Sequence, residues 1–487
     1  MPWESRVFDP IPWLILLPLA WGCLTFLTGV GRGGCLVLAG LVVQLVLTTM
    51  LARQIVTEGA RYYAVGGWGA PLGVDLYVDG LTGIMLLLTH VVALPLVVYA
   101  RAYFSSQAEG TGYFWPLTCF LLAAMNALFM SADIFNIYVT LELLGLAAVG
   151  LVAAAGSAGP VAAAIRYLLV TLLGSGAYLM GVALLYGTYG SVSLAVLEPL
   201  LATTEISAAA CLAAVLMLAG LLLKTALFPF HFWLPPAHGG APAPVSALLS
   251  ALVIKASFYL ILRLWFDLFA PLVTTQAAQL LGGLGAAAIL WGSILAFIQT
   301  RLKMLVAYST VAQIGYLFLL FPLMTSAIPG ASESALQGGV MQLVAHALAK
   351  AAMFAAAGVM VLSAGKDDIA LLGGMSSHLP LTLFTFALAG ITLMGLPPSG
   401  GFIAKWLLID SAVSGGQWGW VVVMILGGLL SAAYVFKVLR QTFLPPVAGI
   451  KFKPVIRMLE WPAFLLALTS LLLGFRSVEV LHLLGAG

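Results

Sequence analysis

The sequence predicts an all-α, polytopic membrane protein of about 14 transmembrane helices, built as two inverted five-helix repeats with broken helices in the seventh and twelfth spans. Three observations carry that prediction. Of the 487 residues, 62% are hydrophobic and only 8% charged, against about 25% charged in a soluble domain. Apolar stretches of about 20 residues, enough to cross the hydrocarbon core, recur along the chain. Two of these stretches are interrupted by proline and glycine beside a lysine, at comparable places in two halves of the chain.

Taken in order, the first three spans fall near residues 11–30, 34–56 and 80–101. The N-terminal MPWESRVFDP lacks a basic region followed by a short apolar run and a cleavage site, so the first span is expected to be a retained helix. Residues 57–79 are polar and Gly-rich and read as an external loop, with Asp75 and Asp79 solvated at the mouth of the third span. Five spans follow at 113–131, 133–154, 160–187, 206–234 and 244–267, with 191–204 as a short interfacial helix. Five more lie at 274–299, 304–324, 335–364, 378–412 and 417–441, and the last at 459–475. The chain thus divides into three helices in 1–105, repeats in 106–270 and 271–442, and a C-terminal part in 443–487.

Positive charge sets the orientation. Lys and Arg total 20, and Lys224, Lys255, Lys350 and Lys405 lie inside spans. Of the other sixteen, Arg6, Arg53, Arg61, Arg263 and Arg476 fall on the N-terminal side of the membrane. The remaining eleven, among them Arg32, Arg101, Arg166, Arg301, Lys303, Lys366 and five in the 437–457 loop, fall on the other. The excess belongs in the cytoplasm, which puts both termini outside it, in a protein of the cell's inner (plasma) membrane.

The two breaks have a physical meaning. The seventh span is interrupted over Phe228–Pro236, just after Lys224, and the twelfth at Gly395–Gly401, just before Lys405. Backbone that is not helical at membrane depth is tolerated only where it is buried in protein or lines a wet cavity. Paired interrupted segments point to inverted repeats around a midplane site. The reversed order of lysine and break is read as a mark of that inversion.

A charge near the bilayer centre costs roughly 2.5–3.5 kcal/mol on insertion scales, so each intramembrane lysine is a functional candidate. Glu142 is the only carboxylate near a span centre. Burial disfavours an ammonium and a nearby carboxylate favours it, so a lysine held between the two can gain and lose a proton; arginine cannot. Glu142 and Lys224 are taken as a coupled pair that passes protons to Lys255; the bland alternative is a static ion pair joining two helices. His346 and Lys350 lie four apart, on one helix face, and bridge towards Lys405 at the far end. His231 and His238 flank the first break and line a water path or cap its freed backbone groups. Tyr308, Ser309 and Gln313, with Thr171, Ser175, Ser246 and Ser250, order water between the lysines or simply pack helices together. His90, alone in its span, reads as structural.

Other chemistry is excluded. Cys23, Cys35, Cys119 and Cys211 sit far apart in apolar stretches, with no metal-ligand spacing. Gly365-Lys366 is followed by Asp367, where a phosphate loop needs Ser or Thr. The net charge of +3 comes with no basic, aromatic-interleaved patch for nucleic acid. No cofactor and no metal are expected.

These residues resemble a known family. Asp133-Ile-Phe-Asn-Ile-Tyr-Val-Thr-Leu-Glu142, Lys224 through Phe-Pro-Phe-His231-Phe-Trp-Leu-Pro, Ala-Pro-Ala-Pro-Val-Ser-Ala up to Lys255, Arg301 to Tyr316, His346-Ala-Leu-Ala-Lys350 and Gly395 to Lys405 run in order over most of 75–441. They are similar to the antiporter-like subunits shared by Mrp-type cation/proton antiporters, respiratory complex I and group 4 membrane-bound hydrogenases. The resemblance implies fourteen helices with two inverted repeats, the Glu142–Lys224 pair, the relay residue Lys255 and the terminal Lys405. It also implies protons and Na+ as substrates and other integral membrane subunits as partners. The family often has Asp after Trp-Leu-Pro; Pro236 stands there instead, so the proton uptake route is open. The 241–259 run and the lack of a long lateral helix after the last span look most like the D-type chain of Mrp antiporters. A chain of a redox-driven pump is the alternative, and a structural scaffold with a dead relay the third.

Overall fold

A computed structural model describes residues 8–28, 30–105, 112–154 and 156–485. Arg6, used in the charge count, lies outside them. Two long helices, α1 (Ile11–Thr28) and α2 (Val30–Glu58), lead into a small hairpin of β1 (Arg61–Ala64) and β2 (Asp75–Val78). The strands pair antiparallel, Arg61 opposite Val78 and Ala64 opposite Asp75. The expected external loop is therefore ordered by a ladder, and the fold is not purely helical. Its Tyr62, Tyr63 and Tyr77 are the aromatic residues that strands favour.

Helices α3 (Gly80–Ser105), α4 (Phe114–Met130), α5 (Ile134–Ala153) and α6 (Ala158–Tyr189) follow, then the short α7 (Leu194–Thr203). The start of α5 is fixed by Asp133, whose carboxylate accepts from the N–H groups of Phe135 and Asn136 at 2.8 and 2.7 Å, as an N-cap should. Helix α8 (Ala208–Thr225) is capped by Ser207 and ends at the first break; α9 (Leu234–Gly240) is the span's second half. The next span is α10 (Ala243–Leu248), a π-helical turn at Leu249–Val253, and α11 (Ile254–Arg263). It is buried from Ala243 to Leu262, as a helix apolar all round should be.

The second half holds α12 (Thr275–Ile298), α13 (Leu302–Phe318), α14 (Leu320–Leu323), the central α15 (Ala331–Ala364), α16 (Pro380–Met394), α17 (Gly400–Ser414) and α18 (Trp418–Phe443). Helices α19 (Arg457–Leu472) and α20 (Ser477–Leu484) close the chain, bent by 75°. Among the described residues, 11 helices are long and apolar enough to cross a membrane, or 12 if that bent pair is one span. The difference from fourteen lies in shorter pieces: α4 spans 17 residues, and the twelfth predicted span is two helices of 15 residues each.

The two breaks have the same hydrogen bonding, in the same chain direction. At the first, Ala226 is left-handed (φ 57°) and its N–H reaches the Leu222 and Leu223 carbonyls, while Leu227 N–H returns to Leu222. At the second, left-handed Gly395 (φ 80°) reaches Ile391 and Thr392, and Leu396 returns to Ile391. The two lysines stand differently to these breaks: Lys224 lies on the helix before its break, and Lys405 on the helix after its own.

Two further expectations are corrected. Asp79 is not solvated: it forms an ion pair with Arg263, and both side chains are mostly buried. Lys303 is not a loop cation: it lies in the first turn of α13, buried, with its ammonium on the Ala241 carbonyl.

Candidate functional site: a line of buried lysines

The first pair is where the sequence placed it. Glu142, on the third turn of α5, faces Lys224 on the last turn of α8, Oε1 to Nζ at 4.0 Å. Lys224 also donates to Thr171 Oγ1 on α6 at 3.3 Å. Helix α6 comes close enough for this because Gly174 and Gly220 meet backbone to backbone; a Cβ at either would run into the other's carbonyl. Small residues allow such an approach between membrane helices. Beside Lys224, a cavity of about 20 Å³ is lined by Thr171, Tyr167, Val253 and Ser257. It has room for about one water and leads from Lys224 towards the segment that carries Lys255.

Lys255 is 1% exposed. Its ammonium donates to the Ser250 carbonyl in the π-helical turn, where the widened turn leaves carbonyls without their usual i+4 donors. Ser250 Oγ hydrogen-bonds Thr310 Oγ1 at 3.0 Å, and Thr310 donates to the Val306 carbonyl. Lys350 on α15 donates to that same carbonyl at 3.0 Å and to Ser309 Oγ. His346, one turn before Lys350, is buried, and neither ring nitrogen has a hydrogen-bond partner among the described residues.

The line continues to the second break. The Tyr434 hydroxyl donates to Ser431 Oγ at 3.1 Å. Gln313 Nε2 reaches Ser431 Oγ and the Leu393 carbonyl, both at 3.2 Å, and Gln342 donates to Gln313 Oε1 at 3.0 Å. Lys405 donates to Leu393 and Met394 carbonyls at 2.8 and 3.2 Å, and its ammonium stands 4.3 Å from the Tyr316 ring centre. The lysine thus satisfies the carbonyls freed at the end of α16.

Contacts thus link Glu142 with Lys224, Lys255 with Lys350 and Ser309 through Ser250, Thr310 and the Val306 carbonyl, and Gln313 with Lys405 through the Leu393 carbonyl. Tyr308 is half-buried, packed against the apolar core, and makes none of these bonds. His231 stacks on Phe228 at 5.6 Å with Nδ1 unpartnered, away from the lysines. His238 is buried and edge-on to Phe354, with ring centres 6.0 Å apart. His90 is buried and bonded to Thr48 and the Leu86 carbonyl. Sequence reasoning missed Tyr434 and Ser431, three apart on α18. Their spacing puts them on one helix face, but neither carries a charge of its own to mark it in an apolar span.

The family described as NADH:quinone oxidoreductase/Mrp antiporter, transmembrane, matches residues 131–431, more than half of the chain and nearly every residue of this line. The chain belongs to that family. The N-type chain of NADH-quinone oxidoreductase from Desulforudis audaxviator is 38% identical over 399 residues, 81% of this chain and 77% of the relative. The D-type chain of the Na(+)/H(+) antiporter from Alkalihalophilus pseudofirmus is 28% identical over 433 residues, 88% and 86% of the two chains. The fold matches a chain in the structure of the Mrp complex from a Dietzia species, with a TM-score of 0.88, 24% identity and coverage of 98% and 96%. Membership makes this an ion-translocating, multi-pass membrane subunit. Within the family, the N-type relative shares more identity than the D-type one, so the D-like features of the sequence do not by themselves choose the assembly.

Proposed function

We propose that this chain is the proton-translocating subunit of a multisubunit, Mrp-type Na+/H+ antiporter, conducting protons along the line from Glu142 to Lys405. The observation that carries the reading is the row of buried lysines and polar groups that runs from the Glu142–Lys224 pair beside the first break to Lys405 beside the second. When Glu142 is ionised and close, the proton stays on Lys224. When the pair separates, Lys224 releases it towards Lys255, and Lys350, His346 and Lys405 follow. Each carbonyl contact holds an ammonium in place, and each hydroxyl offers both a donor and an acceptor for transfer. Residues 106–270 and 271–442 act as two inverted copies, a reading supported by the shared hydrogen bonding of the breaks. Both termini lie outside the cytoplasm, and other membrane subunits complete the cycle.

Glu142→Gln, in the chain assembled with its native partners, tests the relay. Proton translocation should fall to background while the assembled complex forms in normal amount; a wild-type rate removes Glu142 from the mechanism. A second reading, an ion-pumping subunit of a redox complex, is favoured by the 38% identity to an NADH-quinone oxidoreductase chain. Mass spectrometry of the proteins purified with the chain separates the two. Small membrane partners without redox centres support the antiporter, and iron–sulfur or flavin partners support the redox complex.

A further inference from the structure

Away from the relay, a cavity of about 580 Å³ opens at the start of α16, the end of that helix opposite the second break. It lies on the membrane side that carries most of the Lys and Arg residues. Helices α16 and α19 both begin there and run side by side in the same direction. Thr382 Oγ1 donates to Glu460 Oε1 at 2.7 Å in their first turns, and Thr392 Oγ1 meets Ser470 Oγ at 3.0 Å near their far ends. Residues 452–456 form the outer wall. The Lys453 N–H donates to the Ser363 carbonyl, and Ser363 Oγ donates to the Lys453 carbonyl, each at 2.8 Å. The Phe452 ring stands edge-on to His378 at 5.1 Å.

The lining is unpaired and basic. Lys453 and Arg457 line the cavity and are exposed. Among the described residues, neither side chain makes a hydrogen bond or ion pair. Arg457 does not pair with Glu460 one turn on, because that carboxylate is buried and accepts from Thr382 instead. Two free cations thus face one buried, hydrogen-bonded carboxylate. Neither α16 nor α19 has a side-chain cap at its N-terminus, so two helix ends add the partial positive charge of their free N–H groups. Below the cavity the outer face of the two helices is apolar: Phe384, Trp461 and Leu465 are each about half exposed. Phe464 packs between them, 6.1 Å from the Phe384 ring and 5.6 Å from Trp461. Tryptophan in a first turn, as Trp461 is, anchors a span at the membrane–water interface.

We propose that this cavity binds the headgroup of an anionic phospholipid from the adjacent leaflet. The phosphate sits between Lys453, Arg457 and the starts of α16 and α19, and an acyl chain lies along Trp461, Phe384 and Leu465. A phosphate diester supplies the negative charge that the two cations and two helix ends lack. The apolar face that continues from the cavity holds the rest of a lipid, which a free phosphate would not use. The bound lipid joins α19 and the 452–456 segment to α16, whose far end gives Lys405 its carbonyl partners.

The test places the assembled complex in phosphatidylcholine nanodiscs with a small fraction of a phosphatidylglycerol analogue that carries a diazirine on its acyl chain. After illumination, mass spectrometry should find the label on peptides within 380–384 and 452–465. A phosphatidylcholine analogue should label them about tenfold less. Lys453→Gln combined with Arg457→Gln should cut phosphatidylglycerol labelling about thirtyfold, since each basic group beside an anionic lipid is worth about a factor of five. Lys451→Gln combined with Arg440→Gln removes the same charge from exposed positions outside the cavity; labelling should stay within about twofold, because exposed charges farther off are screened. An equal loss in both double variants would make the attraction a diffuse surface effect and overturn the site. So would unlabelled peptides in the wild type, or equal labelling by the two lipids. Inorganic phosphate at millimolar concentration should not displace the analogue; full displacement assigns the cavity to the free anion and overturns the lipid.

Discussion

Lys405 and Gln313 share one acceptor: both donate to the Leu393 carbonyl, at 2.8 and 3.2 Å, across the break between α16 and α17. The terminal lysine is thus also the cap of a broken helix. Lys405→Met should stop translocation and leave the carbonyl with Gln313 as its donor, so the complex should still assemble. Lys405→Arg should restore the cap but not transport, because arginine stays protonated. Measured proton flux and assembled yield for the two variants check this; flux in the Lys405→Arg variant would place Lys405 in a purely structural role.

The Tyr434 hydroxyl donates to Ser431 Oγ, which also meets Gln313 Nε2 beside the second break. Tyr434→Phe removes one hydroxyl without changing ring volume. Its expected effect is a loss of translocation of about tenfold or more, with thermal stability changed by only about 1 kcal/mol, the worth of one hydrogen bond. An unchanged rate would route protons through His346 alone.

The Glu142–Lys224 geometry depends on a glycine contact far from either charge. Gly220→Val would force its side chain into the Gly174 backbone and push α6 from α8, separating Thr171 from Lys224. Overpacking of this kind costs typically about 1–3 kcal/mol. The melting temperature in detergent should fall and translocation should drop with it; Gly176→Val, whose Cβ meets nothing within 4 Å, should change neither.

Asp79 ties the hairpin end of α3 to α11. Burial opposes its ionisation, but the adjacent Arg263 guanidinium, with Thr82, holds its carboxyl below the usual carboxylate range. A lowered folded-state pKa contributes stability that is present above the unfolded value, about 4, and is lost as pH falls through the lowered one. Wild-type protein should therefore lose thermal stability between about pH 4 and lower values. Asp79→Asn should be less stable at neutral pH, by roughly 2–4 kcal/mol for a broken, mostly buried pair, and should lose less on acidification. Equal acid sensitivity in both proteins would assign the loss to other groups.

Much of the site was legible because membrane burial makes charge conspicuous. Glu142, Lys224, Lys255, Lys350 and Lys405 stand out in apolar runs, and the structure gathers its line of buried polar groups around them. The misreadings have a common cause. Lys303, Asp79 and Arg263 sit at span ends, where hydropathy alone cannot separate a solvated residue from one sealed under a neighbouring helix. Tyr434 and Ser431 are uncharged, so their place in the line depends on which face of α18 turns to α13.

The sequence by itself determined that the chain is a helical membrane protein, which spans are broken, and which ionisable groups lie inside them, since each follows from local composition and from the cost of charge and free backbone in lipid. Only the tertiary structure decided which partner each lysine meets, that the two breaks are equivalent in hydrogen bonding, and that Lys303 is buried against the Ala241 carbonyl. Those are relations between residues tens to hundreds apart in the chain, set by helix packing, and no single stretch of sequence encodes them.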